Sequence, residues 1–469
     1  MDDQEMELYP SHFVAVLGGA VAGSEAAFNL AQRGIKVIVF EQNPRPYGKI
    51  EDGLPKWHVK LQANEISKID KKLSHVNVLF VPNIGLGRDL NIIDLVKNWG
   101  FSAILLANGA WRDRPLQIDG IDEFVGKGLL YQNDFVHWFN HYHESDYAGE
   151  HYQIPDSAII IGGGLASLDV VKIVMIETVL AALKKLTIQT DILELERESI
   201  HKVLARYNLT LQKLGLKGCT LFYRRRVMDM PLAQMPHDAS PEAREKVYLA
   251  RKKILKNFQD KYLFKVRECR VPWGIITNNA RLAGIIFKET EIINSRVEVK
   301  NDTEHNVLSP LVISAVGSIP VPIEGIDMKG ELYDLTDQET GQLKQFNNVF
   351  ALGNVVTGKG NIIASSEHGK QVATHVLEHF LVWREEDYEK IFQFSSERTK
   401  ERVDKIANML NEKKVLSVDK IRSIIEKVES YQRNTGYSGN YAAWISKHKL
   451  ESIVDVIVAQ RQTQSPNLY

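Results

Sequence analysis

Residues 13–41 read FVAVLGGAVAGSEAAFNLAQRGIKVIVFE and carry the clearest structural signal in the chain. The first part, Phe13–Leu17, is a continuous apolar run, which is typical of a strand buried on both faces of a parallel sheet. The glycine-rich turn Gly18–Gly23 comes next, followed by the helical pattern Ser24–Arg33 and a second apolar run, Val37–Phe40. The order strand, turn, helix, strand within about 30 residues predicts a βαβ unit.

The same pattern recurs in the middle of the chain. Ala158–Ile161 predicts a buried strand, Gly162–Ser167 the turn, and residues from Leu168 to about Leu186 the helix. The next strand is predicted at Thr220–Tyr223, after an amphipathic and charged segment, residues 187–214, which we expect to be helical. Two such units predict an α/β protein with two Rossmann-like dinucleotide-binding domains.

Three further apolar runs lead into glycine. Residues 101–107 and 310–316 predict the final strands of the two folds, and residues 349–353 a further short strand. The first fold is therefore expected to be discontinuous, with the second inserted into it. The predicted domains are 11–150 together with 318–385, then 151–317, and a helical C-terminal extension at 386–469.

The C-terminal extension is rich in Lys and Glu at helical spacing. This pattern is typical of a solvated helical appendage, and a partner-specific role is the alternative.

Composition excludes several classes of protein. The chain has 469 residues, with 58 Lys and Arg against 59 Asp and Glu, and this balance argues against a general nucleic-acid binder. Cys219 and Cys269 cannot form a disulfide framework, an iron–sulfur site or a CxxC redox pair, which favours a reducing, cytoplasmic compartment. No membrane span is expected, because no stretch approaches about 18 apolar residues. The acidic N-terminus lacks the features of a secretory or transit signal. The oligomeric state is left open.

The first glycine turn predicts a nucleotide site. A dinucleotide pyrophosphate binds at a helix N-terminus, and glycines allow the close approach. Gly18 and Gly23 hold the first and last glycine positions, whereas Ala20 replaces the middle one. Glu41 ends the second strand, where an acidic residue binds ribose hydroxyls. The alternative is a βαβ unit that only packs tightly.

The second glycine turn carries a different signal. Gly162 and Gly164 are present, with the small Ser167 in the last position, and Arg224–Arg226 follows the second strand in place of an acid. Arginine offers bidentate donors to a 2′-phosphate, so NADP(H) is favoured over NAD(H). A solvated basic loop is the alternative. An acid at one site and arginines at the other together predict FAD and NADP(H) as cofactors.

These residues resemble the adrenodoxin reductase-type ferredoxin–NADP⁺ reductases over most of the chain, and they are also similar to the small subunit of glutamate synthase. The motifs that carry the resemblance to the reductases are Pro46–Lys49, Gly53–Lys60, Leu86–Asp89, Asn108–Ala110, Ile118–Gly120, Phe135–Asn140, Gly162–Val170 and Thr190–Ile192. Tyr223–Arg225 and Met230–Pro231 are similar to the glutamate synthase subunit.

The resemblance implies roles for individual residues. Lys49 would contact FAD through its backbone, and Gly360 would lie near both the isoalloxazine and the nicotinamide. The residues implied for FAD are Gly18, Ala22, Gly23, Glu41, Lys49, Leu86, Gly353, Asn354, Gly360, Asn361 and Ile362. The residues implied for NADP(H) are Gly162, Gly164, Leu165, Ala166, Ser167, Arg224, Arg225 and Gly360.

The sequence also departs from the family. Asn354 stands where the family has Trp, and Gly358–Asn361 replaces its Gly-Pro-Thr-Gly, so flavin tuning and acceptor choice stay open. His58 lies one residue from the spacing of the family's Pro-Asp-His. It is a candidate catalytic residue for proton handling, with a hydrogen-bonded structural histidine as the alternative.

The leading hypothesis is an FAD-dependent oxidoreductase that exchanges electrons between NADP(H) and an acidic one-electron carrier, ferredoxin or flavodoxin. Docking would need basic residues. The candidates are Lys56, Lys60, Lys359, Arg244 and Lys246. One alternative is a flavin subunit that delivers electrons to another enzyme or a quinone. Another is a flavoprotein binding or assembly module without turnover.

Overall fold

The computed structural model of the chain describes residues 12–236, 238–358, 361–381 and 416–464. They form an α/β structure that divides into two compact units. The first unit comprises the described residues of Met1–Glu51, Lys60–Trp111 and Ile319–Lys449. The second comprises those of Asp52–Val59, Arg112–Ser318 and Leu450–Tyr469.

The helices are numbered in chain order. They are α1 Val21–Ala31, α2 Lys49–Asp52, α3 Val59–Leu73, α4 Ile92–Asp94, α5 Gln132–His141, α6 Leu165–Lys185, α7 Ile192–Glu198, α8 Ile200–Arg206, α9 Pro241–Tyr262, α10 Asn354–Thr357, α11 Ile362–His375, α12 Val418–Asn434, α13 Tyr441–Lys447 and α14 Ile453–Gln464. Short 3₁₀ turns occupy Ile121–Phe124 and Val227–Asp229, and π-helical turns occupy Leu95–Trp99 and Val376–Leu381.

The strands are numbered in the same way. They are β1 Phe13–Leu17, β2 Lys36–Phe40, β3 Val78–Val81, β4 Ala103–Leu106, β5 Arg112–Asp113, β6 Leu129–Tyr131, β7 Ile159–Gly162, β8 Thr220–Phe222, β9 Lys265–Arg267, β10 Arg270–Asn278, β11 Arg281–Ile293, β12 Arg296–Val299, β13 His305–Leu308, β14 Val312–Ala315, β15 Ser318–Ile319, β16 Met328–Lys329, β17 Leu332–Tyr333 and β18 Val349–Ala351.

The first unit is built on a parallel sheet with the strand order β18-β4-β1-β2-β3. Every residue of β1 is buried, and its side chains alternate between two core clusters. Val14 and Val16 belong to the cluster that includes residues of α1, whereas Phe13, Ala15 and Leu17 belong to the other. The sheet is therefore covered on both faces, which explains the continuous apolar run.

The second unit repeats this plan with the parallel order β6-β14-β7-β8-β9. Helix α6 is buried along most of its length in the core on one face of that sheet. On the other face, an antiparallel sheet of β10 to β13 packs against it, with Phe222 stacked on Phe287 at a ring-centroid distance of 4.0 Å. The predicted pair of nucleotide folds is confirmed.

The observed division of the chain differs from the predicted boundaries. Residues 112–150 were expected in the first domain, but the structure places them in the second unit. The reason is strand β6, whose Leu129 pairs in parallel with Val312 of β14. A second difference is that the short segment Asp52–Val59 also belongs to the second unit.

The C-terminal region is helical, as predicted, but helix α12 is not a solvated appendage. Ile421, Ile424 and Val428 are buried in the same core cluster as Phe40 and Trp99. Their spacing of three and four residues forms one apolar stripe on an otherwise charged helix. The first part of the predicted extension, 386–415, lies outside the described residues. Among the described residues, no helix is long and apolar enough to cross a membrane.

Candidate functional site

The first glycine turn connects β1 to α1 in the first unit. Gly18 has a φ of 108°, a conformation that glycine adopts readily, and its N–H donates to the Phe40 carbonyl at 2.7 Å. A Cβ atom on Gly18 would lie 2.6 Å from the Ala107 oxygen, and one on Gly23 would overlap the Gly18 oxygen. The strand, turn and helix can therefore approach this closely only with glycine at both positions.

Glu41 is buried at the end of β2, beside this turn. Its Oε2 accepts a hydrogen bond from the Gly19 N–H at 2.8 Å, and its Oε1 accepts one from the Asn43 N–H at 3.0 Å. The structure thus brings the predicted ribose-binding acid next to the glycine turn that precedes α1. This is the arrangement in which an acid at the second strand faces a dinucleotide.

The N-terminal end of α1 meets the 353–369 region. A Cβ atom on Gly353 would lie 2.6 Å from the Ala22 Cβ, and one on Gly369 would lie 2.6 Å from the Ala22 oxygen. The buried His368 accepts a hydrogen bond from the Gly353 N–H at Nδ1, 3.0 Å away, and its Nε2 lies 2.9 Å from the Gln338 oxygen. Two of the predicted FAD residues, Ala22 and Gly353, therefore lie in contact.

The loop after Gly353 contains the remaining predicted residues of this region. Asn354 begins the short helix α10, and Ile362 begins α11. The Asn361 Oδ1 accepts from the Ala364 N–H at 2.6 Å, so this side chain caps α11. Gly360, which was expected to contact both nucleotides, lies outside the described residues.

Lys49 and Leu86 lie in other parts of the first unit. The Lys49 Nζ is 5.5 Å from the centroid of the Trp111 ring, a cation–π distance. Leu86 is half-buried in a loop, where it forms an isolated parallel bridge with Leu90. Both residues belong to the first unit.

Asn108, a half-buried residue two positions after β4, has a buried amide oxygen. The Asn108 Nδ2 donates to the Tyr333 hydroxyl at 3.0 Å, and that hydroxyl donates to the Val321 oxygen at 3.1 Å. The Asn108 Oδ1 is buried and has no hydrogen-bond partner among the described residues. An orphaned acceptor of this kind is costly unless a ligand or water satisfies it.

The second glycine turn lies in the second unit, and one of its three glycines has free space beside it. A Cβ atom on Gly162 would lie 2.5 Å from the Ala315 oxygen, and one on Gly163 would overlap the Tyr223 ring. Gly164, in contrast, has no atom within 4 Å of its would-be Cβ and caps the N-terminus of α6. The Ser167 Oγ donates to the Gly164 oxygen at 2.7 Å and holds the first turn closed.

The first two residues of α6 are exposed, although most of the helix that follows is buried. Leu165 is 53% exposed and Ala166 is exposed. The N-terminus of a helix of 21 residues carries backbone N–H groups without helical partners and the positive end of the helix dipole. The first turn of α6 can therefore accept an anion such as a pyrophosphate.

The three arginines after β8 have different neighbours. Arg226 forms a two-pronged ion pair with Asp229, with N–O distances of 2.9 and 3.0 Å. Arg225 donates to the Ser295 oxygen at 2.6 Å. The Arg224 side chain is exposed and makes no hydrogen bond or ion pair to any part of the chain that the structure describes. Arg224 is thus the arginine best able to take a phosphate.

His58 lies in the second unit, where its Nε2 is 4.0 Å from the Asp169 Oδ1. The imidazole is about one-third exposed. The Nε2–Oδ1 distance fits an ion pair but is longer than the donor–acceptor distance of a hydrogen bond. A role of His58 in proton handling stays a prediction, and the carboxylate beside it belongs to Asp169 of α6.

One of the predicted docking residues is corrected by the structure. Lys56 is 4% exposed, and its Nζ lies 4.4 and 3.8 Å from the ring centroids of Phe139 and Tyr142. Burial lowers the pKa of Lys56 to about 7. It cannot contribute to a docking surface. Lys60, Arg244 and Lys246 are exposed, and Lys359 lies outside the described residues.

Sequence reasoning missed Asp169, His368, Trp111 and Asn108 as parts of the site. Asp169 lies in the Gly162–Val170 motif, so the sequence predicts that it lies near the glycine turn. The sequence does not predict its contact with His58. His368 and Trp111 carry no local signal, because their contacts join segments far apart in sequence.

Comparison with known proteins places these features in context. Residues 12–194 match the family described as pyridine nucleotide-disulphide oxidoreductase. NADPH:adrenodoxin oxidoreductase of Arabidopsis thaliana is 23% identical over 76% of this chain and 79% of its own length. A probable ferredoxin/ferredoxin–NADP reductase of Mycobacterium leprae is 32% identical over 34% of this chain and 28% of its own.

The fold is confirmed by a solved structure. FprA from Mycobacterium tuberculosis, determined in complex with NADPH, superposes with a TM-score of 0.60 and 18% identity, covering 86% of this chain and 90% of that one. The resemblance found in the sequence is confirmed, as is the expectation of an oxidoreductase.

Proposed function

We propose that this chain exchanges electrons between NADP(H) and a ferredoxin- or flavodoxin-type carrier. The chain is an oxidoreductase, and its residues 12–194 match the family described as pyridine nucleotide-disulphide oxidoreductase. The observation that carries the proposal is the contrast between its two glycine turns. Glu41 is buried beside the first turn, whereas the strand after the second turn leads to the exposed Arg224. An acid suits a ribose hydroxyl, and an arginine suits a 2′-phosphate.

FAD and NADP(H) are the cofactors of this oxidoreductase. The first unit fits FAD on its own geometry. The turn at Gly18 opens onto the N-terminus of α1, Glu41 stands at the end of β2, and Asn108 presents an orphaned acceptor at the end of β4. Ala22 and Gly353, which touch one another, would line the same group.

The second unit fits NADP(H). The open space in front of Gly164 and the exposed residues Leu165 and Ala166 leave room for a pyrophosphate at the N-terminus of α6. Arg224, and with it Arg225 once it exchanges its contact with Ser295, would hold the 2′-phosphate. Arg226 is already neutralised by Asp229.

Bound to these residues, NADP(H) would supply hydride chemistry and FAD would allow electrons to pass one at a time. The chain's own part is to hold these groups and to manage protons. We propose that His58 gives or takes a proton at Nε2, which lies 4.0 Å from the Asp169 Oδ1. The sequence has two cysteines and no CxxC pair, so we propose an external electron acceptor and a reducing, cytoplasmic compartment.

The carrier's docking surface is proposed on helix α9. Lys246, Leu249 and Lys253 follow one face of this helix at spacings of three and four residues. Both lysines are exposed, and Leu249 is 56% exposed. An exposed apolar side chain between cations suits an acidic carrier, because charge steers the encounter and apolar contact holds it.

An anaerobic titration tests the cofactor assignment. We expect the purified protein to show flavin absorption that bleaches with NADPH and more slowly with NADH. Arg224→Ala should raise the KM for NADPH by about 10- to 100-fold, as the loss of a charge-assisted hydrogen bond does, and leave NADH unchanged. The matched control is Arg226→Ala, which removes an arginine already paired with Asp229. Equal losses for both nucleotides in Arg224→Ala would contradict the phosphate assignment.

Ferredoxin reduction tests the docking surface. Lys246→Glu combined with Lys253→Glu should raise the KM for a purified [2Fe–2S] ferredoxin several-fold at low salt and flatten its dependence on ionic strength. Reduction of a small neutral dye should not change. Lys202→Glu reverses an exposed lysine of α8 and serves as control. A wild-type rate that is insensitive to salt would argue against charge-steered docking.

A further inference from the structure

The second unit contains a cluster of metal-binding side chains that the proposed function does not use. Asp52, His137 and His141 each offer one ligand atom, and these atoms all lie within 4.8 Å of one another. The Asp52 Oδ1 is 3.0 Å from the His141 Nε2 and 4.0 Å from the His137 Nε2. We propose that this cluster binds a divalent transition-metal ion, with Zn²⁺ as the best fit.

Helix geometry explains why the two histidines converge. His137 and His141 are four residues apart on α5, so both imidazoles lie on one face, with ring centroids 4.5 Å apart. Asp52 is the last residue of α2. The third ligand therefore comes from a distant part of the sequence.

The ligand set selects among metals. Two imidazoles and one carboxylate suit zinc, nickel, copper or iron, whereas calcium and magnesium prefer oxygen donors alone. Zinc binds nitrogen and carboxylate oxygen at about 2.0–2.2 Å, so its ligand atoms stand about 3.4 Å apart in a tetrahedron. The two separations measured from the Asp52 Oδ1, 3.0 and 4.0 Å, bracket this value. All the ligand atoms lie within 4.8 Å of one another, and rotation of the half-exposed His137 side chain would bring them to ligating distance.

An outer carboxylate supports the same conclusion. The His141 Nδ1 lies 2.7 Å from the Glu144 Oε1, so the nitrogen opposite the proposed metal position is held by an acid. Such a carboxylate–histidine pair fixes the ring orientation and strengthens the ligand in metal sites. The His141 side chain is 8% exposed and that of Glu144 is 10% exposed, so this half of the site is built into the protein.

The other half of the site faces solvent. His137 is 52% exposed, and three protein ligands leave at least one position of a four-coordinate ion for water or another small ligand. Asp134, one turn before His137 on α5, adds negative charge nearby. The site therefore favours a cation and allows it to enter from solvent.

Metal titration of the FAD-loaded full chain tests the proposal. After treatment with a chelator, Co²⁺ should produce a d–d absorption band at wavelengths beyond the flavin bands, and calorimetry with Zn²⁺ should show one site per chain. Asp52→Asn and His137→Ala should abolish both signals. Glu144→Gln should weaken binding by about 10- to 100-fold, as the loss of an outer-sphere partner does.

Controls separate a metal site from a network of hydrogen bonds. His201→Ala removes an exposed histidine of α8 and should bind like the wild type. His137→Ala is the decisive variant because its half-exposed side chain can be removed without opening a core, and bleaching by NADPH checks that the protein is folded. Absence of a Co²⁺ band in the wild type, or an undiminished band in His137→Ala, would overturn the proposal.

Discussion

At the scale of single residues, three identical side chains differ in their ability to bind a phosphate, because their neighbours differ. Arg224, Arg225 and Arg226 follow β8 directly, yet Arg226 is paired with Asp229 and Arg225 with a backbone oxygen. An arginine already in a bidentate pair must lose those bonds before it can hold a phosphate. The sequence predicts a basic cluster, and the contacts identify Arg224 as its free member among the described residues.

Burial changes the ionisation of Lys56 in a similar way. Its Nζ is buried without a hydrogen-bond partner among the described residues and rests on the rings of Phe139 and Tyr142. Burial lowers the pKa of Lys56 to about 7, and burial also raises the pKa of the nearby Glu177. The folded chain therefore holds this amine in its neutral form more readily than the unfolded chain does.

We predict that Lys56→Met stabilises the protein in a pH-dependent way. Below pH 7 the folded state must carry a charged, buried amine, so the variant should gain on the order of a few kcal/mol in free energy of unfolding. Between pH 7 and about 10.5 the folded lysine is neutral while the unfolded one is still charged, so the gain should shrink as the pH rises. Urea unfolding at several pH values measures this. Lys60→Met, at an exposed site, should show no such trend, and a gain independent of pH would contradict the prediction.

At the scale of elements, helix α12 shows how a charged helix becomes part of a core. Its apolar residues occupy one narrow stripe, and Ile424 at the centre of that stripe is fully buried. Trp99 and Phe40 belong to the same cluster, and Tyr431 of α12 lies 5.8 Å from the Trp99 ring centroid. The helix therefore closes one face of the first unit's sheet.

We predict that Ile424→Ala lowers the free energy of unfolding by about 2–5 kcal/mol, as truncation of a buried isoleucine does. The cause is a cavity in the cluster that contains residues of β1, β2 and α12. The control is Glu426→Ala, two residues along the same helix and exposed, which should change stability by less than about 0.5 kcal/mol. Chemical denaturation measures both. Equal values for the two variants would show that α12 contributes no core packing.

The elements differ in how far sequence could predict them. β1, β2 and β7 were predictable because a strand buried on both faces is a continuous apolar run. β6 was not recognised, since three residues carry no periodicity, and the domain boundary shifted with it. The glycine turns were predictable because backbone approach demands glycine, whereas the contact between His58 and Asp169 depends on folding.

At the scale of the whole molecule, two units each carry a parallel sheet, a core and a glycine turn of their own. Among the described residues, those predicted to bind FAD all lie in the first unit. Those predicted to bind NADP(H) all lie in the second unit. A ligand that binds one unit stabilises the folded form of that unit through mass action. Nucleotide fragments can therefore report on each unit separately.

We predict that adenosine 2′,5′-bisphosphate, the part of NADP(H) that lacks nicotinamide, protects only the second unit from hydrogen exchange. At about 100 times its Kd, the fragment should raise the free energy of the opening that exposes the site by about 2.7 kcal/mol. The amides of β7 and of the first turn of α6 that exchange through this opening should then exchange about 100-fold more slowly. Amides of β1 and α1 should exchange as before. Hydrogen exchange with mass spectrometry measures both regions in one sample.

Two comparisons make this prediction specific. Adenosine 5′-monophosphate lacks the 2′-phosphate and should protect β7 much less, and Arg224→Ala should remove the difference between the two fragments. Arg226→Ala should keep it, because that arginine is engaged with Asp229. Equal protection by both fragments would show that the arginines after β8 do not read the 2′-phosphate. Protection at β1 would show instead that the fragment binds the glycine turn beside Glu41.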